Sequence, residues 1–210
     1  MDSAASNLVV LDNLLDGRRL WRGQSHHQDD TSQHPTGHAE LDAQLPLGGW
    51  PDAALTEILS AHPGLGELRL VWPTLARLAA AGERLVLIAP PHLPYPHAWL
   101  HAGVDLARLS IIQVRRADAL WAAEQCLRSG SCGAVLCWPG RTDDRALRRL
   151  QVAAETGQAL AFMFRGMREA LNSSPAALRL VIEGSPPQLR ILKCRGGHAP
   201  AAALRLGTLH

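Results

Sequence analysis

Between residues 54 and 164, short apolar runs bounded by turn residues alternate with segments whose apolar residues recur at helical spacing. Strand and helix taking turns in this way is the pattern of βαβ units, which bury their surface by forming a parallel sheet covered with helices. The predicted strands are 54–59, 84–89, 110–114, 134–138 and 159–164. A helix after Gly66 places Leu68, Val71, Leu75 and Leu78 on one face, with Pro73 expected to delay or kink it. Helix 117–128 is read with Leu120, Trp121 and Leu127 inward, and helix 143–155 with Leu147, Leu150 and Ala154 inward. Beyond residue 176 the pattern changes. Runs 177–182 and 188–194, joined around Gly184, Ser185, Pro186 and Pro187, read as an antiparallel pair.

At 210 residues, 47% of them hydrophobic and 19% charged, the chain suits one globular core. Ahead of it, Leu8, Leu11, Leu14 and Leu15 share a face of a short amphipathic helix, and the polar stretch 22–38 reads as a mobile linker. The expected division is a helix and linker over 1–35, the core over 36–198 and a tail over 199–210. No run of about 18 apolar residues occurs and no basic segment precedes an apolar one at the start, so a cytoplasmic protein without a membrane span is expected. Cys126, Cys132, Cys137 and Cys194 form no CxxC pair, and the His and Asp residues at 26–34 lack ligand spacing. Buried thiols, no metal and no cofactor are the expectation.

The basic residues are lopsided. Of 21, only Lys193 is lysine, so no lysine stands near the first strand and helix, where a GK[ST] phosphate loop needs one. The first strand is followed by Ser60-Ala61-His62-Pro63-Gly64-Leu65-Gly66-Glu67-Leu68, which has the strand, glycine loop and helix order of such a loop. Glu67 follows the last glycine, and a carboxylate there repels a β- or γ-phosphate. Gly64, Gly66 and Glu67 are therefore read as a degenerate phosphate loop.

Thr36, Gly37, Leu41, Asp42, Gly48 and Gly49, followed by the first strand with Glu57, resemble the opening of the RecA-type ATPase core. Residues 87–93, the Gly103-Val104-Asp105 segment and the strand at 134–138 continue the resemblance. It implies an α/β fold: a RecA-like core with a mostly parallel central sheet, C-terminal antiparallel strands and a tethered N-terminal helix. It also implies that the catalytic glutamate's place falls at Pro91, the metal-organising acid's at Trp138 or Pro139, and the sensing glutamine's at Arg165. With Glu67, that makes a pseudo-ATPase and no enzyme. The sequences GGWP (48–51), PGLGELRL (63–70), APPHLPY (89–95) and DDRALRRLQ (143–151) resemble the ImuA family, RecA-like accessory proteins of damage-induced mutagenesis. That resemblance implies a non-catalytic scaffold of SOS-induced, error-prone translesion DNA synthesis. It would bridge RecA and an ImuB-type polymerase homologue, serve a DnaE-type polymerase indirectly, and possess the surfaces for homo-oligomers. Central and C-terminal segments also resemble SulA, the SOS-induced inhibitor that binds FtsZ. This is the alternative reading, disfavoured by the segment 36–51 and the leading helix.

RecA protomers join through a leading helix and a late basic strand, and the resemblance places Leu8, Leu11, Leu15, Lys193 and Arg195 on those surfaces. Alternation puts Lys193 and Arg195 on one side of their strand. Arg141, Arg145, Arg148 and Arg149 share a helical side and, with Arg165 and Arg168, read as a basic patch for a partner or DNA. Without aromatic residues among them, direct DNA binding is expected to be weak or absent. Trp121 and Trp138 are expected in the core, Trp50 and Trp21 in core or turn packing. The proline-stiffened run 90–97 is read as presenting Leu93 and Tyr95.

Overall fold

Each apolar run becomes a strand: β1 (Leu55–Ser60), β2 (Leu85–Ile88), β3 (Leu109–Ile112), β4 (Ala134–Cys137), β5 (Leu160–Gly166), β6 (Leu178–Glu183) and β7 (Gln188–Cys194). The computed structural model describes residues 31–200 and 202–205 and adds a two-residue strand β8 (Leu204–Arg205) in what the sequence presents as a tail. The strands form one mixed sheet in the order β3-β2-β4-β5-β1-β6-β7-β8. Strands β1 to β6 are mutually parallel, and β7 and β8 each add antiparallel. The helices are α1 (Ala39–Asp42), α2 (Glu67–Ala80), α3 (Pro96–His101), α4 (Ala119–Arg128) and α5 (Asp144–Gly157). Among the described residues no helix is long and apolar enough to cross a membrane.

The path of the chain decides which face each helix covers. From β1 to β2 to β3 it moves toward one edge of the sheet, and from β3 to β4 to β5 it returns. Right-handed crossovers then put the helices of the two legs on opposite faces. Accordingly Leu70 and Leu75 of α2 and Trp99 of α3 pack with Ile58, Leu87 and Phe162, while Ala123, Leu127, Leu147 and Leu150 of α4 and α5 pack with Leu55, Ile88 and Met163. The helices after β2 and β4 lie on opposite faces, so the carboxyl ends of these neighbouring strands border a crevice.

Three expectations need correction. Trp121 is 65% exposed, because Ala119, Ala122, Ala123 and Leu127 form the buried face of α4 and Trp121 lies on the opposite side. Residues 31–38 are packed, not a free linker. Ser32 Oγ donates to the Trp50 carbonyl at 2.6 Å, Trp50 N–H donates to the His34 carbonyl, and the Trp50 indole donates to Thr74 Oγ1 at 2.8 Å. Ser32 and His34, polar residues that suggest a linker, serve these buried hydrogen bonds, and residues 22–30 of the stretch lie outside the described residues. Pro73 lies inside α2, which starts at Glu67 without delay. Proline removes a donor from the helix, and the His38 ring meets the Leu70 carbonyl at 3.1 Å in that turn. Gly37, at φ +88°, makes this approach possible: a Cβ there would lie 2.4 Å from Pro73 Cβ.

Candidate functional site

The loop from β1 to α2 passes Gly64 and Gly66 at φ +92° and +96°, left-handed conformations that glycine adopts without strain. Glu67, the first residue of α2, is buried and turns back into the loop. Its two carboxylate oxygens accept from the Gly64 N–H at 2.9 and 3.1 Å. Loop N–H groups at a helix N-terminus are where a phosphate loop holds its anion. In this chain the carboxylate of the first helical residue engages one of those groups, the Gly64 N–H. The adjoining cleft, lined by His62, Glu67, Arg116, Trp138 and Arg165 among others, holds about 210 Å³, below the roughly 300–1,000 Å³ of ligand pockets.

Trp138, directly after β4, is buried and stacks on Phe164 of β5 with ring centroids 4.6 Å apart and planes 11° apart. Pro91 lies across the same crevice and lines both this cleft and a neighbouring apolar recess with Leu93, Tyr95 and Trp99. The positions expected to have lost their acids thus carry an aromatic stack and a proline wall.

Below the cleft lies a buried charge cluster. Glu57 of β1 accepts from Arg179 Nε of β6 at 2.7 Å and from Arg165 Nη1 of β5. Arg165 Nη2 also donates to Glu169 Oε2 at 2.8 Å and to the Thr142 carbonyl at 3.2 Å. Arg179 donates to the carbonyls of Asn172 and Glu169 at 2.9 and 2.7 Å. The two arginines therefore fasten the 3-10 turn Met167–Leu171 to the sheet. Arg165 is buried here and does not belong to an exposed basic patch. Sequence reasoning missed Arg179 and the role of Glu57. The available signal was a single charge inside each apolar run, LTEIL and LRLVI, since a charge on a buried strand must be paired.

The four arginines near α5 divide in two. Arg148 pairs with Asp144 at 2.8 Å and Arg149 with Glu124 at 3.2 Å, whereas Arg141 and Arg145 are exposed and form no ion pair among the described residues. Lys193 and Arg195 are exposed at the end of β7. Lys193 Nζ donates to the Ser174 carbonyl at 2.7 Å, and partial burial, then Arg195 and Arg179, lower its pKa. Arg195 lies 3.8 Å from Glu155. Leu8, Leu11, Leu15 and Trp21 lie outside the described residues. Burial pushes the Cys137 thiol up to about 12, so it is no nucleophile.

The family model described as "Cell division inhibitor SulA" matches residues 54–161, from the start of β1 into β5. The chain belongs to the SulA family. Its similarity to the curated cell division inhibitor SulA of Photorhabdus laumondii subsp. laumondii is 32% identity over 115 residues, 53% of this chain and 63% of that protein. The chain thus spans just under two thirds of that relative's length. The crystal structure of SulA from Pseudomonas aeruginosa is 30% identical, with 55% of this chain and 99% of that chain covered and a TM-score of 0.46.

The family match overturns the assignment to ImuA, and with it the translesion-synthesis scaffold and the ImuB-type, DnaE-type and RecA partners. The residues at 36–51 that weighed against SulA precede the matched span. The structure uses them for packing: Thr36 N–H donates to Asp42 at 2.8 Å, and Gly37 seats Pro73. These contacts brace α2 and give the segment a packing role that is independent of any nucleotide.

Proposed function

We propose that this protein inhibits bacterial cell division by binding, without catalysis, and that FtsZ is its target. Membership of a family described as cell division inhibitors is the observation that carries this reading. The geometry agrees with it. A loop N–H engaged by the Glu67 carboxylate, beside a cleft of about 210 Å³, favours binding through the protein surface over turnover of a nucleotide. The glycine loop between β1 and α2 further supports a nucleotide-binding core of RecA-like type that has become a pseudo-ATPase.

Induced expression in bacteria should give filamentous cells whose growth in mass continues. The purified chain should reduce the FtsZ that sediments after GTP-driven assembly, in proportion to its own concentration. Cells of normal length together with undiminished FtsZ assembly would refute the proposal.

A further inference from the structure

The segments that follow β2, β3, β4 and β5 meet in one crest at the carboxyl edge of the sheet. Arg116 joins two of them: it lines a recess with Leu93, and a methyl group placed on Gly140 would lie 3.5 Å from its Cβ. The Thr142 carbonyl accepts from Arg165, which brings Arg141 beside the end of β5 and the turn that carries Arg168. Arg116, Arg141, Arg145 and Arg168 are all exposed and form no ion pair among the described residues.

The acids of the crest, by contrast, are engaged. Asp118 holds Arg115 at 2.8 Å, Asp144 holds Arg148 at 2.8 Å and Asp143 caps α5 through Ala146 N–H at 2.7 Å. Glu67 and Glu169 are taken up by Gly64 and Arg165. Bonds to N–H groups leave the charges of Asp143 and Glu67 in place, so the four arginines without an ion pair make the crest net cationic by about two charges. The same strand-end segments carry three exposed apolar side chains on stiff mounts. Leu93 and Tyr95, 74% and 67% exposed, ride on a segment with prolines at 90, 91, 94 and 96, and Leu171, 93% exposed, ends the turn fastened by Arg179. Apolar anchors held in place lose little entropy on binding, and uncompensated charges around them select a partner of opposite sign.

We propose that this crest docks an acidic face of a partner protein, with Leu93, Tyr95 and Leu171 entering apolar depressions and the four arginines meeting carboxylates. Nucleic acid fits less well, because two of the three anchors are leucines and offer no stacking surface. Identification of the partner with FtsZ rests on the function proposed above; the chemistry of the crest does not.

The test compares the wild type with two double variants of equal charge change: Arg116→Glu/Arg141→Glu on the crest, and Arg84→Glu/Arg108→Glu at the amino ends of β2 and β3. All four residues are exposed, and thermal melts confirm that each variant folds. Fluorescence anisotropy is read with a labelled peptide of alternating glutamate and leucine and, separately, with labelled oligo-dT. The crest variant should bind the peptide about tenfold more weakly than the wild type, and the amino-end variant should match the wild type. Equal binding by all three proteins, equal loss in both variants, or tighter oligo-dT binding that the crest variant abolishes would each overturn the proposal. Expression in cells separates the two readings. Filaments from the wild type and the amino-end variant but not from the crest variant support the crest, and filaments from all three remove it while leaving the inhibitor in place. If the wild type gives no filaments and leaves FtsZ assembly undiminished, the inhibitor reading fails, and the peptide titration alone decides the crest.

Discussion

Glu57 and Glu67 are buried carboxylates with opposite surroundings, and each predicts a different response to removal. Glu57 balances two buried guanidinium groups. Glu57→Ala leaves Arg165 and Arg179 without their shared counter-charge and should cost about 3–5 kcal/mol in urea unfolding. Replacing all three by leucine and methionine should cost much less, since an apolar triad needs no counter-charge; equal losses would show that the cluster is not held by its charges. Glu67 accepts from a backbone N–H, so Glu67→Ala should cost about 1.5–3 kcal/mol, the range for hydrogen bonds to charged groups, and Glu67→Gln less, because the amide oxygen still accepts. Glu67 is legible in the sequence as hostile to phosphate because its neighbours Gly64 and Gly66 define the loop locally. Arg179 is not legible as Glu57's partner, because the two are brought together only by the pairing of β1 with β6.

At the scale of elements, the join between the leading segment and α2 is sensitive to pH. Burial lowers the pKa of His38 from its ordinary 6.5, more than its backbone hydrogen bonds and Asp42 raise it. A histidine with a depressed folded-state pKa binds fewer protons folded than unfolded, so stability falls as pH drops through 6.5 and levels off below the folded value. His38→Gln keeps a donor for the Leu70 carbonyl but does not titrate. Its urea midpoint should therefore fall less than that of the wild type between about pH 7.5 and about pH 5.5, and parallel falls would count against this role. The strands were legible because a parallel strand buried on both faces is a continuous apolar run, as in LVLI at 85–88. Segment 31–38 was not, since polar residues that bond a distant helix look in sequence like those that bond water. The exposure of Trp121 is not legible either, because the buried face of α4 consists largely of small alanines, whose periodicity a large apolar neighbour masks.

At the scale of the whole molecule, the strand-end cleft can be tested for nucleotide binding. Three features of the strand-end cleft argue in one direction: the carboxylate of Glu67 on the Gly64 N–H, the Trp138–Phe164 stack, and a volume of about 210 Å³. Each works against a triphosphate by a different means, by charge, by occupied surface and by space. Their joint effect is measurable in the intact chain by linkage. A site with Kd near 10 μM in the presence of about 1 mM ATP and magnesium stabilises the folded state by about 2.7 kcal/mol. For a chain of this size that amounts to a rise in Tm of roughly 5–10 °C. The expected rise is below about 1 °C, within the scatter of a melt. Glu67→Ala should leave it there, because removing the carboxylate relieves the charge but neither opens the stack nor supplies a lysine. A rise of several degrees in the wild type would mean that the cleft opens around a nucleotide.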